Sequence, residues 1–121
     1  MSWLDITLFA TSDLHSREGE LLDGLPFVNR HDVVKHIIEE RIKARFNQIA
    51  EPLDEMMNPQ VFAESAICLN LAMVLRENSA RRDDIFAIRA EFYQRRFEEE
   101  LERAFASIEF SETQSGVELV R

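Results

Sequence analysis

The chain has 121 residues, a formal net charge of −9, 45% hydrophobic residues and 31% charged residues. That length fits one domain, and that apolar content supports a packed core rather than global disorder. The acidic balance argues against free DNA binding or attachment to a membrane surface, both of which need basic patches.

Three Gly and three Pro are too few for a turn-rich all-β protein. Cys68 is the single cysteine and has no internal partner for a disulfide, which fits a reducing compartment. No apolar run approaches the roughly 18 residues of a membrane span. The opening Met1-Ser2-Trp3-Leu4-Asp5 lacks the basic stretch of a signal peptide, so export by the usual route is not expected. Of fourteen basic residues only Lys35 and Lys43 are lysines. This Arg bias fits either interface use, since Arg is enriched and Lys depleted at interfaces, or genome composition.

The pattern along the chain predicts an all-α fold: an elongated three- to four-helix bundle with an extended N-terminal arm and a short β-like C-terminal arm. Residues 1–30 form the arm and a short helix, 31–108 the bundle core, and 109–121 a docking arm. In the first region Leu4, Ile6 and Leu8 alternate with Asp5 and Thr7, a period-two run. Thr11-Ser12-Asp13 offers N-cap oxygens for a short helix through Glu18, and Gly24-Leu25-Pro26 punctuates the chain. Trp3, Phe9 and Phe27 lie outside any core periodicity. They are either interface anchors or fold back on their own body.

Asp32 is placed to cap a helix over roughly 32–49, with Val34, Ile37, Ile38, Ile42, Phe46 and Ile49 as its stripe and Pro52 beyond its end. Asn58 is a good N-cap and Pro59 suits the first helical position, giving a helix to Glu77. Its apolar residues run nearly all round, so it should be the central helix. Asp83 can cap a last helix over roughly 83–108. Phe86, Tyr93, Phe97, Leu101, Ala104 and Ile108 trace its seam, and Glu91, Arg95, Glu99 and Arg103 form an alternating-sign ladder. The tail, Ile108-Glu109-Phe110 and Val117-Glu118-Leu119-Val120, alternates apolar and polar residues about Ser111–Gly116, as two short strands or one extended arm. Two strands alone are marginal in water, so the tail calls for a partner surface.

Candidate chemistry is sparse. His15, His31 and His36 are the only histidines, and His36 with Glu39 makes one His/Glu pair. No second such motif completes a di-metal helical site, so no metal or cofactor is expected. Cys68 lies on the apolar helix face, away from the electropositive setting a nucleophilic thiol needs. The run Glu98-Glu99-Glu100-Leu101-Glu102 reads as a solvated face, a general-base site or a cation site. Arg81-Arg82, Arg95-Arg96 and Arg103 offer groups for an anion. No phosphate loop, nucleophile elbow or Cys-x-x-Cys pair is present.

Three stretches together resemble the head–tail connector (adaptor) proteins of long-tailed phages, in particular the Mu-like branch. Phe9-Ala10-Thr11-Ser12-Asp13-Leu14-His15-Ser16-Arg17-Glu18-Gly19-Glu20 is similar to that branch's opening, an aromatic-Ala-Thr, then Asp-Leu, then Arg-x-Gly-Glu. Asn58-Pro59-Gln60-Val61-Phe62 through Ala72-Met73-Val74-Leu75 resembles its Ala-rich packed helix. Arg89-Ala90-Glu91-Phe92-Tyr93 resembles its long helix, with an Arg one turn before a Tyr, and a short Gly-containing tail follows. Where the family has Arg-Tyr and then Pro after its first core helix, this chain has Arg45-Phe46-Asn47-Gln48 with Pro52 later.

The resemblance implies a non-enzymatic virion protein at the neck, made in the host cytoplasm. It would be a homo-oligomeric ring, commonly twelvefold, that docks on the portal protein, lengthens the DNA channel and receives a tail terminator or stopper protein. DNA would pass through without specific binding, and no membrane would be involved. Portal, neighbour or tail contacts would then fall on Trp3, Leu4, Ile6, Leu8, Phe9, Ile108, Phe110, Val117, Leu119 and Val120. Glu98, Glu99, Glu100 and Glu102 would face the channel, where carboxylates repel the phosphate backbone. Two other readings stay open: a helical interaction or regulatory module, and a small all-α enzyme.

Overall fold

The computed structural model describes residues 2–80 and 84–111, and these are mostly helical. Five α-helices follow one another: α1 Thr11–Leu22, α2 His31–Arg45, α3 Pro52–Glu55, α4 Ala63–Glu77 and α5 Ile85–Ser107, with a 3-10 turn at Pro59–Phe62 before α4. α4 packs along α5 and is flanked by α2 and α1. It is the central helix the sequence calls for, with Ala66, Leu71, Ala72, Val74 and Leu75 fully buried. Each large apolar side chain removed from water contributes about 1.5–3 kcal/mol. α5, with 23 residues, extends about 35 Å at 1.5 Å per residue and buries Tyr93, Phe97, Leu101, Ala104 and Phe105.

The N-terminal residues are not a free arm. Trp3, Ile6, Leu8 and Phe9 are buried in the chain's own core. The Trp3 indole N–H donates to Glu39 Oε1 at 3.0 Å. The Leu8 N–H donates to His31 Nε2 at 2.8 Å. The Lys35 ammonium donates to the Ile6 carbonyl at 2.9 Å. A run of edge-on ring contacts then links Trp3 to Phe110, from Trp3 to Phe62, Phe62 to Phe105, Phe105 to Phe46 and Phe46 to Phe110.

Those same contacts shift several predicted boundaries. α2 stops at Arg45 rather than near 49, because Phe46 turns out of helical geometry to stack on Phe105 and Phe110, and Ile49 is buried. α1 continues past Glu18 to Leu22, but Glu18 itself is non-helical, at φ −139° and ψ 45°. The N-cap position of α1 is Ala10, whose N–H donates to Asp13 in the first turn at 2.8 Å. α2 is capped from Asn29, whose Oδ1 accepts from the His31 N–H at 2.9 Å, and not from Asp32. α5 is capped by Asp84, which accepts from the Ala87 N–H at 2.8 Å. Asp83, the expected cap, lies outside the described residues.

Asn58 does not cap its helix. Its Oδ1 accepts from the Glu109 N–H at 2.8 Å and its Nδ2 donates to the Ser107 carbonyl at 2.9 Å, so it satisfies groups at the end of α5 and just beyond it. Beside it, the Met57 N–H donates to the Glu109 carbonyl and the Ser111 N–H to the Glu55 carbonyl, around an antiparallel bridge between Met56 and Phe110. Ile108 and Phe110 therefore rest half-buried on their own body. Val117, Leu119 and Val120 lie outside the described residues.

Candidate functional site: the ionic seam of α1, α4 and α5

The kink at Glu18 lets two consecutive side chains of α1 reach two different helices. The Arg17 guanidinium pairs both nitrogens with the Glu64 carboxylate of α4, each at 2.7 Å. Glu18 Oε2 accepts from Arg89 Nε at 3.0 Å, from the second guanidinium nitrogen at 2.5 Å and from the Tyr93 hydroxyl at 2.7 Å, all on α5. The Arg89 guanidinium also lies over the Phe92 and Tyr93 rings, a favourable cation–π placement. The Glu18 side chain is only 11% exposed. A carboxylate held that far from water needs this full set of donors.

The neighbouring groups respond. Arg17 holds the Glu64 carboxyl below the usual carboxylate range. Burial, then the hydrogen bond and charge of Glu18, push the Tyr93 phenol up to about 12. Burial, then the charge of Glu64, push the Cys68 thiol up to about 11. Cys68 is therefore a protonated core thiol, as its place on the apolar face implies. Neither it nor Tyr93 is prepared to act as a nucleophile, since that role needs a lowered pKa or an adjacent base.

The acidic run on α5 is divided. Glu100 is buried between Arg96 and Arg103 of its own helix, so it is withdrawn from the solvent-facing set. Glu98 pairs with Arg41 of α2 at 2.6 and 3.2 Å, and Glu102 with Arg45 at 3.0 Å. Arg41 and Arg45 also cover the Phe97 and Phe105 rings. Glu99 stays exposed. The anticipated ladder is not built: Glu91, Arg95 and Glu99 make no ion pair among the described residues, and Arg103 turns to Glu100. The like charges of Glu98 and Glu102, four residues apart, are each met by an arginine across the groove.

Arginine thus serves here as an internal clamp, a use that composition alone does not distinguish from interface enrichment. Arg30 is the fullest case. Its guanidinium pairs both nitrogens with Glu77 at 2.6 and 2.9 Å, its Nε donates to the Phe27 carbonyl at 2.7 Å, and its N–H donates to Asn70 Oδ1 at 2.6 Å. The fully buried Asn70 donates in turn to the Val28 carbonyl at 2.7 Å. This lattice holds Phe27 at φ 52° with 84% of its surface in water. A left-handed backbone is costly for a side chain of this size and persists only where its surroundings enforce it. Phe27, with Ile85 and Ile88, gives the end of the body at the α4 C-terminus an exposed apolar character. Leu4 and Met57 do the same for the other end, where Leu4 stands on the rim of a cleft of about 470 Å³ formed with Ile49, Pro52 and Leu53.

The His36–Glu39 pair gains Glu40, and donor atoms of the three lie within 4.8 Å of one another. Their charge is already met: Lys43 sits 3.5 Å from Glu39 and 3.7 Å from Glu40, and Glu39 holds Trp3. Arg81 and Arg82 lie outside the described residues. No helix among the described residues is long and apolar enough to cross a membrane. No protein-family model, no curated protein and no solved structure matches the chain.

Proposed function

We propose that this chain is a structural virion protein, a head–tail connector subunit built as an elongated helical bundle. In this reading it forms a homo-oligomeric ring, docks on the portal, extends the DNA channel and offers a surface to the tail. One observation carries the proposal. The stretches that resemble the connector family, separated by dozens of residues, are the ones that meet at the ionic seam. Arg17 and Glu18 come from the first, Glu64 from the second, and Arg89 and Tyr93 from the third. Within the first, Asp13 holds the Ala10 N–H at the start of α1 and Leu14 is fully buried. Of the residues that meet at the seam, Arg17, Arg89 and Tyr93 belong to the resembling pattern, and Glu18 and Glu64 are this chain's own acceptors for them.

Apolar groups at both ends of the body support a subunit with neighbours on two sides. A chain whose two ends differ forms heterologous contacts, which close into rings when the rotation allows. Of the proposed contact residues, Leu4 remains available at the surface, and Phe27 joins it. Trp3, Ile6, Leu8 and Phe9 stabilise the subunit itself. Of the proposed channel carboxylates, Glu99 is the least neutralised, with Glu98 and Glu102 partly matched by Arg41 and Arg45.

The same exposed ends would serve a monomeric or dimeric interaction module, and assembly separates the two readings. Co-expressed with a portal protein from the same genome, the chain is expected to co-purify as a second ring docked on the portal ring. Recovery as a free monomer or dimer in that experiment rejects the connector reading in favour of the interaction module.

A further inference from the structure

We propose that α1 is a releasable strap, swinging away from α4 and α5 while its base stays pinned, with the two ionic clasps at Arg17 and Glu18 setting how often it opens. The base is well anchored. On its N-terminal side Phe9 is buried and the Leu8 N–H is held by His31. On its C-terminal side the Val28 carbonyl is held by Asn70. Asn29 Nδ2 donates to Thr11 Oγ1 at 2.8 Å, which joins the two ends of the segment to each other. Between those points the backbone has two places to bend. Glu18 already departs from helical geometry, and Gly24 sits at φ 83°, with open space around it.

The strap's own grip is mixed. Leu14 and Leu22 are its buried residues, Leu21 and Leu25 pack at the margin of the core, and the rest of the hold is ionic. Arg17, Glu64 and Arg89 each keep about a third of their side-chain surface in water, at 37, 33 and 33%. The Arg17–Glu64 clasp is therefore weakened by dissolved salt, while the Glu18 carboxylate, 11% exposed, is screened less. Opening carries Arg17 away from Glu64, whose carboxylate lies 3.9 Å from Cys68 Sγ. Arg17 is itself close enough to act on the Cys68 thiol, and on this proposal its departure with the strap exposes that thiol, which is 1% exposed when the strap is shut. Local opening of this kind, below the free energy of global unfolding, is the usual behaviour of segments with few buried contacts.

Cys68 is the chain's single cysteine, so the whole protein reports on its own strap. The experiment measures labelling of the native protein by a small aromatic disulfide reagent at low and high sodium chloride. It compares wild type, Arg17→Gln, Glu18→Gln and, as a control on a clamp away from the strap, Arg41→Gln. Labelling should accelerate with salt, and should accelerate roughly 1.5- to 5-fold in Arg17→Gln, whose pair is a third exposed, and about 10-fold or more in Glu18→Gln, whose buried carboxylate loses its charge-assisted hydrogen bonds. The control should match wild type. Amide hydrogen exchange should show α1 opening ahead of α4 in all four proteins. Labelling that is insensitive to salt, equal in the four proteins, or no faster than global unfolding measured in denaturant overturns the proposal.

Discussion

α4 keeps ten of its fifteen residues buried, whereas α1 keeps two of its twelve. The two helices touch, yet they are held to the body by different means. α4 is held by apolar burial, which is non-directional and is not weakened by charge screening. α1 is held by a few directed charge pairs and a thin apolar margin. The contrast separates the part of the molecule that must not move from the part that can, and it makes the two helices respond differently to mutation, salt and pH.

The largest effect should come from the apolar side. Leu71 is fully buried in α4, and Leu71→Ala is expected to cost about 2–5 kcal/mol in chemical denaturation. A loss below about 1 kcal/mol, under the range for a buried leucine, would mean α4 is not the central helix. Asn70→Ala comes next. It strands the Val28 carbonyl and the Arg30 N–H, at about 1–3 kcal/mol for each buried group left unpaired. It should also release the strained Phe27 loop to proteases, visible as new cleavage between residues 23 and 30.

Arg41→Gln should cost well under the leucine substitution, about 0.2–1 kcal/mol, because its pair with Glu98 is half-exposed. That loss should fade in high salt, while the Leu71→Ala loss should not.

pH sharpens the contrast from both directions. Glu64 and Glu77 have carboxyls held below their ordinary range by Arg17 and Arg30. Their contribution is complete above the unfolded value near 4.3 and drains as pH falls through the lower folded value. Acid should therefore loosen the Arg-clamped segments before it affects α4, as read by hydrogen exchange. Tyr93 works in the opposite sense. It is the single tyrosine, and its folded value, about 12, lies above the ordinary value near 10. Its contribution is present below pH 10 and is lost as pH rises through 12. Tyrosinate absorbance should follow that titration, and Glu18→Gln should move it downward.

How much was legible in the sequence follows the same division. The apolar face of α4, the seam of α5 and the core place of Cys68 were readable, because burial leaves a period in the chain. The N-terminal alternation of Leu4, Ile6 and Leu8 was readable as a pattern, but not its destination. Leu4 points out, while Ile6 and Leu8 join the core with Trp3, and that choice is made by α2 residues some thirty positions away. Asn58 looked like a cap because its local neighbours suit one. It was recruited by Ser107 and Glu109, which approach only once the body has formed. The Arg–Glu clamps left no local mark, since partners such as Glu18 and Arg89 are 71 positions apart. A run of glutamates reads alike whether each faces water or an arginine.

If the chain is a ring subunit, as proposed, electron microscopy of the assembled particle should give end-on views of a closed ring with an open centre, docked coaxially on the portal, with Leu4 and Phe27 against neighbouring subunits. Particles with no such ring, or a ring in which both of those side chains remain in solvent, would contradict it.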